Sequence, residues 1–350
     1  MYKYIACSVS VDVYPFDGGQ HRVGTRDGWE KLDLGPGTTI YHEVDHGSGY
    51  DGYGLDDTHY PQRPPVLSAW EPYMWNPQSL MDNTRRLFDI ASQTPLNPHH
   101  RRVTILGDHS MAAATTLASL HRFSGDPVYV VMVDAHGDVN SPEISPSGNC
   151  HGMWLGAMTM GTELLYASHP AYANGMKIID LEELRPLINF GEKPFAYRGK
   201  TWLPQVAPLH PRNLTMFGTT SLDSLEAVTL HAYKLAGARV YTPEDIEHLG
   251  VERVLSELQS QLGGQLTHLS LDVDVTSNVP CEGQETGMQC TGTPEGKVPF
   301  PVVKRFLEGV RDMSDLVGAD MSEMNPRLRP EHLEGNREMW QAYFDALTRI

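Results

Sequence analysis

From about residue 100 the chain alternates short apolar runs with stretches of helical period, the pattern of parallel strands joined by crossover helices. Val103–Leu106, Tyr129–Val133, Leu214–Phe217, Leu266–Leu271 and Leu316–Ala319 read as strands. Tyr129–Val133 is apolar throughout, as a strand covered on both faces should be. Met111–Leu120 and Pro301–Met313 read as helices, and a closing helix is expected from about Pro330. Thr242-Pro-Glu-Asp245 supplies an N-cap, a proline at N1 and an acid at N3, which predicts a helix from there to about Leu262. The first hundred residues differ. Gly, Pro and Tyr dominate Asp45–Gly54 and Tyr60–Pro65, so long surface loops are expected there, with two strands, one of them the alternating opening segment, and a helix near Asn83–Ser92. The expected architecture is one α/β domain over residues 1–350, a mostly parallel sheet flanked by helices.

Charge narrows the function. The 27 Lys and Arg stand against 44 Asp and Glu, giving a net charge of -17. Such a surface repels nucleic acid and anionic membranes and suits a cationic substrate. No apolar run reaches the 18 residues of a membrane span, and the opening segment lacks the long apolar region of a signal peptide, so a cytoplasmic location is expected. The four cysteines are too sparse for a disulfide framework, although Cys281 and Cys290 could staple one loop.

Polar clusters follow the C-terminal ends of three predicted strands, where ligands bind in open parallel sheets. Gly107-Asp-His-Ser110 follows the first, Asp134-Ala-His-Gly-Asp-Val-Asn140 the second and Asp272-Val-Asp274 the fourth. In extended backbone, residues two apart project from one face, so Asp134, His136 and Asp138 are expected to converge, as are Asp272 and Asp274. With His109 this makes six potential ligands, too many for one zinc site with three protein ligands. Two ions sharing carboxylates fit better. The oxygen-rich set favours two Mn²⁺, with Fe, Co, Ni and Zn as competitors.

The chain resembles the ureohydrolase family, and within it arginases. The resemblance rests on Gly107-Asp-His-Ser110, Asp134–Asn140, Ser147-Gly-Asn-Cys-His-Gly152, Ser270-Leu-Asp-Val-Asp274, Thr291-Gly-Thr-Pro294 and Glu323-Met-Asn-Pro326, which match that family's motifs in order over residues 103 to 326. It implies an arginase-like three-layer α/β/α fold, a homo-oligomer, and hydrolysis of a guanidino group. By resemblance, one metal is held by His109, Asp134, Asp138 and Asp272, and the second by Asp134, His136, Asp272 and Asp274. A water between the two is made acidic enough to attack near neutral pH. Glu323 is similar to the family's guanidinium anchor and His151 to its proton shuttle, while Asp138 would carry a proton to the leaving amine. Thr293 is similar to a guanidinium contact.

The segment after Asn140 resembles arginases more than agmatinases. Asn140, Ser145 and Ser147 stand where arginases receive the α-carboxylate, and Asn149 and Asp223, with Glu226 close by, where they receive the α-amino group. Departures concentrate at the rim. Leu106 replaces the usual glycine, no Asp-Pro follows Asp274, Val275–Gln289 looks longer than its counterparts, and residues 1–100 barely match beyond Gly19-Gln-His-Arg22. The expected substrate is therefore arginine, either free or within a peptide, cleaved to ornithine and urea. Agmatine, guanidinobutyrate, formiminoglutamate and guanidine are the alternatives, and a non-catalytic peptide-binding protein on the same fold is the rival from another class.

Overall fold

The computed structural model describes residues 2–8, 28–34, 39–42, 77–93, 101–140, 145, 148–159, 196–197, 200–201, 209–220, 224–277, 296–326 and 333–348. The strands of its main sheet are β1 (Tyr2–Ser8), β2 (Thr39–His42), β3 (Arg101–Ile105), β4 (Tyr129–Val133), β5 (Leu214–Phe217), β6 (Arg239–Tyr241), β7 (Leu266–Asp272) and β8 (Asp315–Ser322). They lie in the order β2-β1-β3-β8-β7-β4-β5-β6, with every neighbouring pair parallel. The helices are α1 (Pro77–Ser92), α2 (Ala112–Arg122), α3 (Trp154–Met158), α4 (Ser224–Leu235), α5 (Pro243–Leu249), α6 (Val251–Leu262), α7 (Phe300–Met313) and α8 (Leu333–Thr348). This is the expected α/β architecture of a parallel sheet between helices. Among the described residues, no helix is long and apolar enough to cross a membrane.

One expected helix is two. Thr242 and Asp245 form a reciprocal capping box that starts α5 as the sequence predicts, but Gly250, at φ 76°, ends it, and α6 starts afresh at Val251. A left-handed residue between two helical turns is the ordinary use of glycine as a stop. The edge strand β6 was not foreseen, because three residues are too few to show a period.

The two faces of the sheet are unlike. On one, Val103, Ile105, Leu269, Leu271, Ala319 and Met321 pack against the apolar sides of α6, α7 and α8. Phe306 of α7 stacks on Phe217 with ring centroids 3.7 Å apart. Truncating such a buried ring to Ala typically costs about 3–5 kcal/mol. On the other face, the same three central strands present polar side chains: Arg102 and Thr104 from β3, Asp320 and Ser322 from β8, His268, Ser270 and Asp272 from β7, all buried. Alternation in a strand puts these on the side opposite the apolar set.

Hydrogen bonds link much of that polar face to itself and to α2. Asp320 accepts from Ser270 Oγ at 2.5 Å and lies 2.8 Å from His268 Nε2. His268 Nδ1 bonds Ser119 of α2 at 2.9 Å, and Arg102 donates to Ser119 Oγ, Thr115 O and Ala91 O. Burial lowers the Arg102 pKa to about 10, so the guanidinium stays cationic at neutral pH and pairs electrostatically with Asp320.

Candidate active site

The register of the sheet brings the strand ends together. Ile105 pairs with Met321, Met321 with Leu271, Leu271 with Val133, and Val133 with Phe217. Residues that follow these positions therefore emerge side by side at one edge. They are His109 after β3, Glu323 after β8, Asp272 at the end of β7 and Asp134 after β4.

His109 lies at the centre. Its Nδ1 is 2.9 Å from Asp134 Oδ2, 2.9 Å from Asp138 Oδ2 and 3.5 Å from Asp272 Oδ2. Neither His109 Nδ1 nor Asp134 Oδ2, both buried, makes a well-angled hydrogen bond. One imidazole nitrogen facing several carboxylate oxygens without hydrogen-bond geometry is what ligands around a shared cation look like, since donors roughly 2.1 Å from an ion and at right angles sit about 3 Å apart. A second group joins Asp134, His136 and Asp274, with His136 Nδ1 2.8 Å from Asp274 Oδ2 and 3.6 Å from Asp134 Oδ1. Asp134 thus belongs to both groups, one oxygen to each. Asp272 falls in the group with His109 and Asp134, and its Oδ1 accepts the Asp274 amide at 2.9 Å. The residues present fit two divalent cations.

The convergence is reached by turns, not by the straight extended segments expected. Asp138 has a left-handed backbone at φ 53° and swings back toward His109 after His136, and Val273–Val275 is a 3-10 turn that brings Asp274 round beside Asp134. Side chains stabilise these turns. Asp134 Oδ1 accepts the His136 amide at 2.7 Å, and Asp274 Oδ1 accepts the Ala135 amide at 3.2 Å. The far nitrogen of His109 is held by Ser270 Oγ at 2.9 Å, which ties the ligand to Asp320 and the polar face of the sheet. Such outer partners fix ring orientation and tautomer.

Without cations the cluster holds protons. Burial first, and then the Asp134 charge, raises the Asp138 pKa to about 6. Burial and the Asp274 and Asp134 charges push Asp272 well up, and burial raises Asp274. Burial opposes charging of His109, yet Asp134 and Asp138 outweigh it and hold its pKa well above the ordinary value. For Asp134, burial acts upward, but His109 and His136 bring its pKa below the usual range.

Several of the other expected residues are among those described. Glu323, at φ 64°, accepts the His109 amide on Oε1 at 2.9 Å, and its own amide donates to Gly107 O. Asn140, Ser145 and Asn149 are buried, Ser145 Oγ taking the Gly148 amide at 3.0 Å, while His151 is partly exposed. Glu226, near the start of α4, is buried and its Oε1 accepts the Val139 amide at 3.3 Å, so this carboxylate braces the loop that carries Asp138. Ser147, Asp223 and Thr293 lie outside the described residues, as do Cys281, Cys290 and most of the Val275–Gln289 loop.

Sequence reasoning missed Ser270, Asp320 and Trp154. Ser270 and His268 stand two and four residues before Asp272 on one face of β7, a polar alternation that an apolar reading of Leu266–Leu271 passes over. Trp154 carries no metal-ligating atom, and nothing in its sequence context marks it.

Comparison with known proteins shows what the chain as a whole is similar to. A model of the Arginase family matches residues 8–342. The chain is 28% identical over 326 residues to an arginase of Schizosaccharomyces pombe, covering 92% of this chain and 86% of that one. It is 27% identical over 332 residues to the arginase of Bacillus subtilis, covering 94% of each. In three dimensions it superposes on the arginase of Entamoeba histolytica, solved with L-ornithine, with a TM-score of 0.67 at 19% identity over 100% of this chain and 98% of that one. The arginase of Bacillus caldovelox gives a TM-score of 0.61 at 21% identity, again over 100% of this chain and 98% of that one. At these identities the structural likeness speaks for the fold.

Proposed function

Because the chain belongs to the arginase family, and is thereby a metal-dependent hydrolase of guanidino C–N bonds, we propose that it cleaves arginine, free or within a peptide, to ornithine and urea, using two Mn²⁺ ions. The observation that carries this reading is the meeting of His109, Asp138 and Asp272 on one side of Asp134, and of His136 and Asp274 on the other. When bound, the ions supply Lewis-acid charge that brings the pKa of water toward neutrality, so that a nucleophile exists without a strong protein base.

The remaining work falls to the chain. Glu323 fixes the guanidinium by charge and hydrogen bonding, its carboxylate oriented by the His109 amide. A water adds to the guanidinium carbon and the bond from that carbon to Nε breaks. Asp138 takes the proton the water gives up and passes it to the departing nitrogen, and His151 exchanges a proton at its ring nitrogen with solvent, leaving the product amine charged. Thr293 contacts the guanidinium. Asn140, Ser145 and Ser147 hold the α-carboxylate side of the substrate, and Asn149, Asp223 and Glu226 the α-amino side. The net charge of -17 draws such a cation in. The protein acts as a single-domain subunit of a cytoplasmic homo-oligomer.

The family match begins at residue 8, so residues 8–100 belong to the family after all; the peptide form of the substrate rests on the Gly- and Tyr-rich composition of Asp45–Gly54 and Tyr60–Pro65 alone. Urea release is to be assayed with free arginine, a capped arginine peptide and agmatine. Release from either arginine substrate is expected. Turnover of agmatine alone, or of none of the three, would refute the proposal.

A further inference from the structure

Trp154 opens α3, directly after the His151-Gly-Met153 turn, and is wholly buried. Its indole N–H donates to Asp138 Oδ2 at 2.6 Å. Its ring lies against the His109 imidazole, centroids 5.0 Å apart and planes inclined by 57°. One side chain therefore touches two residues of the same candidate metal position. The backbone of α3 grips Asp138 as well, since the amides of Leu155 and Gly156 both donate to Asp138 O, at 3.1 and 3.0 Å. Asn140 N, two residues on, donates to Gly152 O at 3.0 Å. Asp138 is thus held at its carbonyl and at its carboxylate by one short helix, in a left-handed conformation that an L-residue keeps only when its surroundings over-determine it.

We infer that Trp154 is a positioning residue for the cation site formed by His109, Asp134, Asp138 and Asp272, fixing which lone pair of Asp138 Oδ2 faces the ion. This rests on the binuclear reading of the site. A carboxylate oxygen has two lone pairs, and indole nitrogen is a donor only. With the N–H on one pair, the other is left toward His109 Nδ1, 2.9 Å away. Phenylalanine at 154 would keep a ring against His109 but let the Asp138 carboxylate rotate, and outer partners of this kind change metal affinity by roughly 10- to 100-fold.

The test is Mn²⁺ titration of metal-stripped full-length protein by calorimetry. The unsubstituted protein is expected to bind two equivalents; binding none would refute the binuclear reading and this inference together. If two bind, Trp154→Phe and Trp154→Leu are each expected to weaken one binding step by roughly 10- to 100-fold and leave the other within error. In His136→Ala protein, which keeps only the first position, the single remaining step should show that same loss. In Asp138→Ala protein, Trp154→Phe should cost nothing more, because the group through which it acts is gone. Two unaltered steps in both tryptophan variants, equal weakening of both steps, or an undiminished effect in the Asp138→Ala background would overturn the inference. Failure of both variants to fold would also overturn it, assigning Trp154 to packing alone.

Discussion

Asp138 and Glu323 are, among the described residues, the two non-glycine positions with positive φ, at 53° and 64°. Each such conformation costs on the order of 1–3 kcal/mol and needs a structural reason to persist. Here the reason is aim: both chains reverse just past a strand end and turn a carboxylate back over the sheet edge, one toward His109 Nδ1 and the other onto the His109 amide. The ligands differ in exposure, and His136, 26% exposed, is the most open of them. Its loss should spare the fold. His136→Ala is expected to leave one equivalent of bound Mn²⁺ and to lower urea release by well over the roughly 10- to 100-fold that outer partners cost. Asp272→Asn should do the same through the other position. Elemental analysis beside the urea assay checks both; full turnover with a position shown empty would rule out the assigned roles.

Among the elements, α3 contributes five residues, and three of them hydrogen-bond Asp138 within the Asp134–Asn140 loop. A Cβ on Gly156 would stand 2.7 Å from Asn140 O and 2.9 Å from Val139 C, closer than real contacts allow. Gly156→Ala must therefore push that loop outward, and a Mn²⁺ affinity roughly tenfold or more below that of the unsubstituted protein is expected, read by the same titration; an unchanged affinity would mean the loop gives way freely. How far the sequence reaches is visible at this scale. The run Tyr129–Val133 announces its strand because five apolar residues, three of them valine, are too few for a buried helix and rich in a β-branched type, and the ligands announce themselves because Asp and His cluster at strand ends. The reversal at Asp138 is not announced, because nothing in Asp-Val-Asn says which φ it adopts. Nor is Trp154, whose partners are sixteen and forty-five positions away in the chain. Alternation in Thr267-His-Leu-Ser-Leu-Asp272 does carry the polar face of β7, but a buried ionic face is costly without partners, and the partner Asp320 comes from a strand 50 residues later.

Over the whole molecule, proton and metal compete for one cluster. The metal-free fold raises Asp138 from 3.8 to about 6, so it holds that proton more tightly than the unfolded chain does. The stabilising contribution of this group is full below about pH 4 and is lost as pH rises through about 6, and Asp272 and Asp274, also raised, act with the same sign. Cations require these carboxylates deprotonated. The rise in melting temperature given by a fixed excess of Mn²⁺ should therefore grow from about pH 5 to pH 7, and a flat or shrinking difference by differential scanning fluorimetry would contradict it. Strand order adds a consequence for the making of the molecule. β8, the last in chain order of the eight strands described in the main sheet, lies in the middle of it, and in the strand order it alone stands between β2-β1-β3 and β7-β4-β5-β6. His109 follows a strand of the first half, and its carboxylate partners follow strands of the second. A nascent chain that has not yet threaded residues 315–322 into the gap has both halves of the first metal position and no seam to join them. Such long-range closure is slow, and capture of the first cation becomes a report that the final strand has gone home.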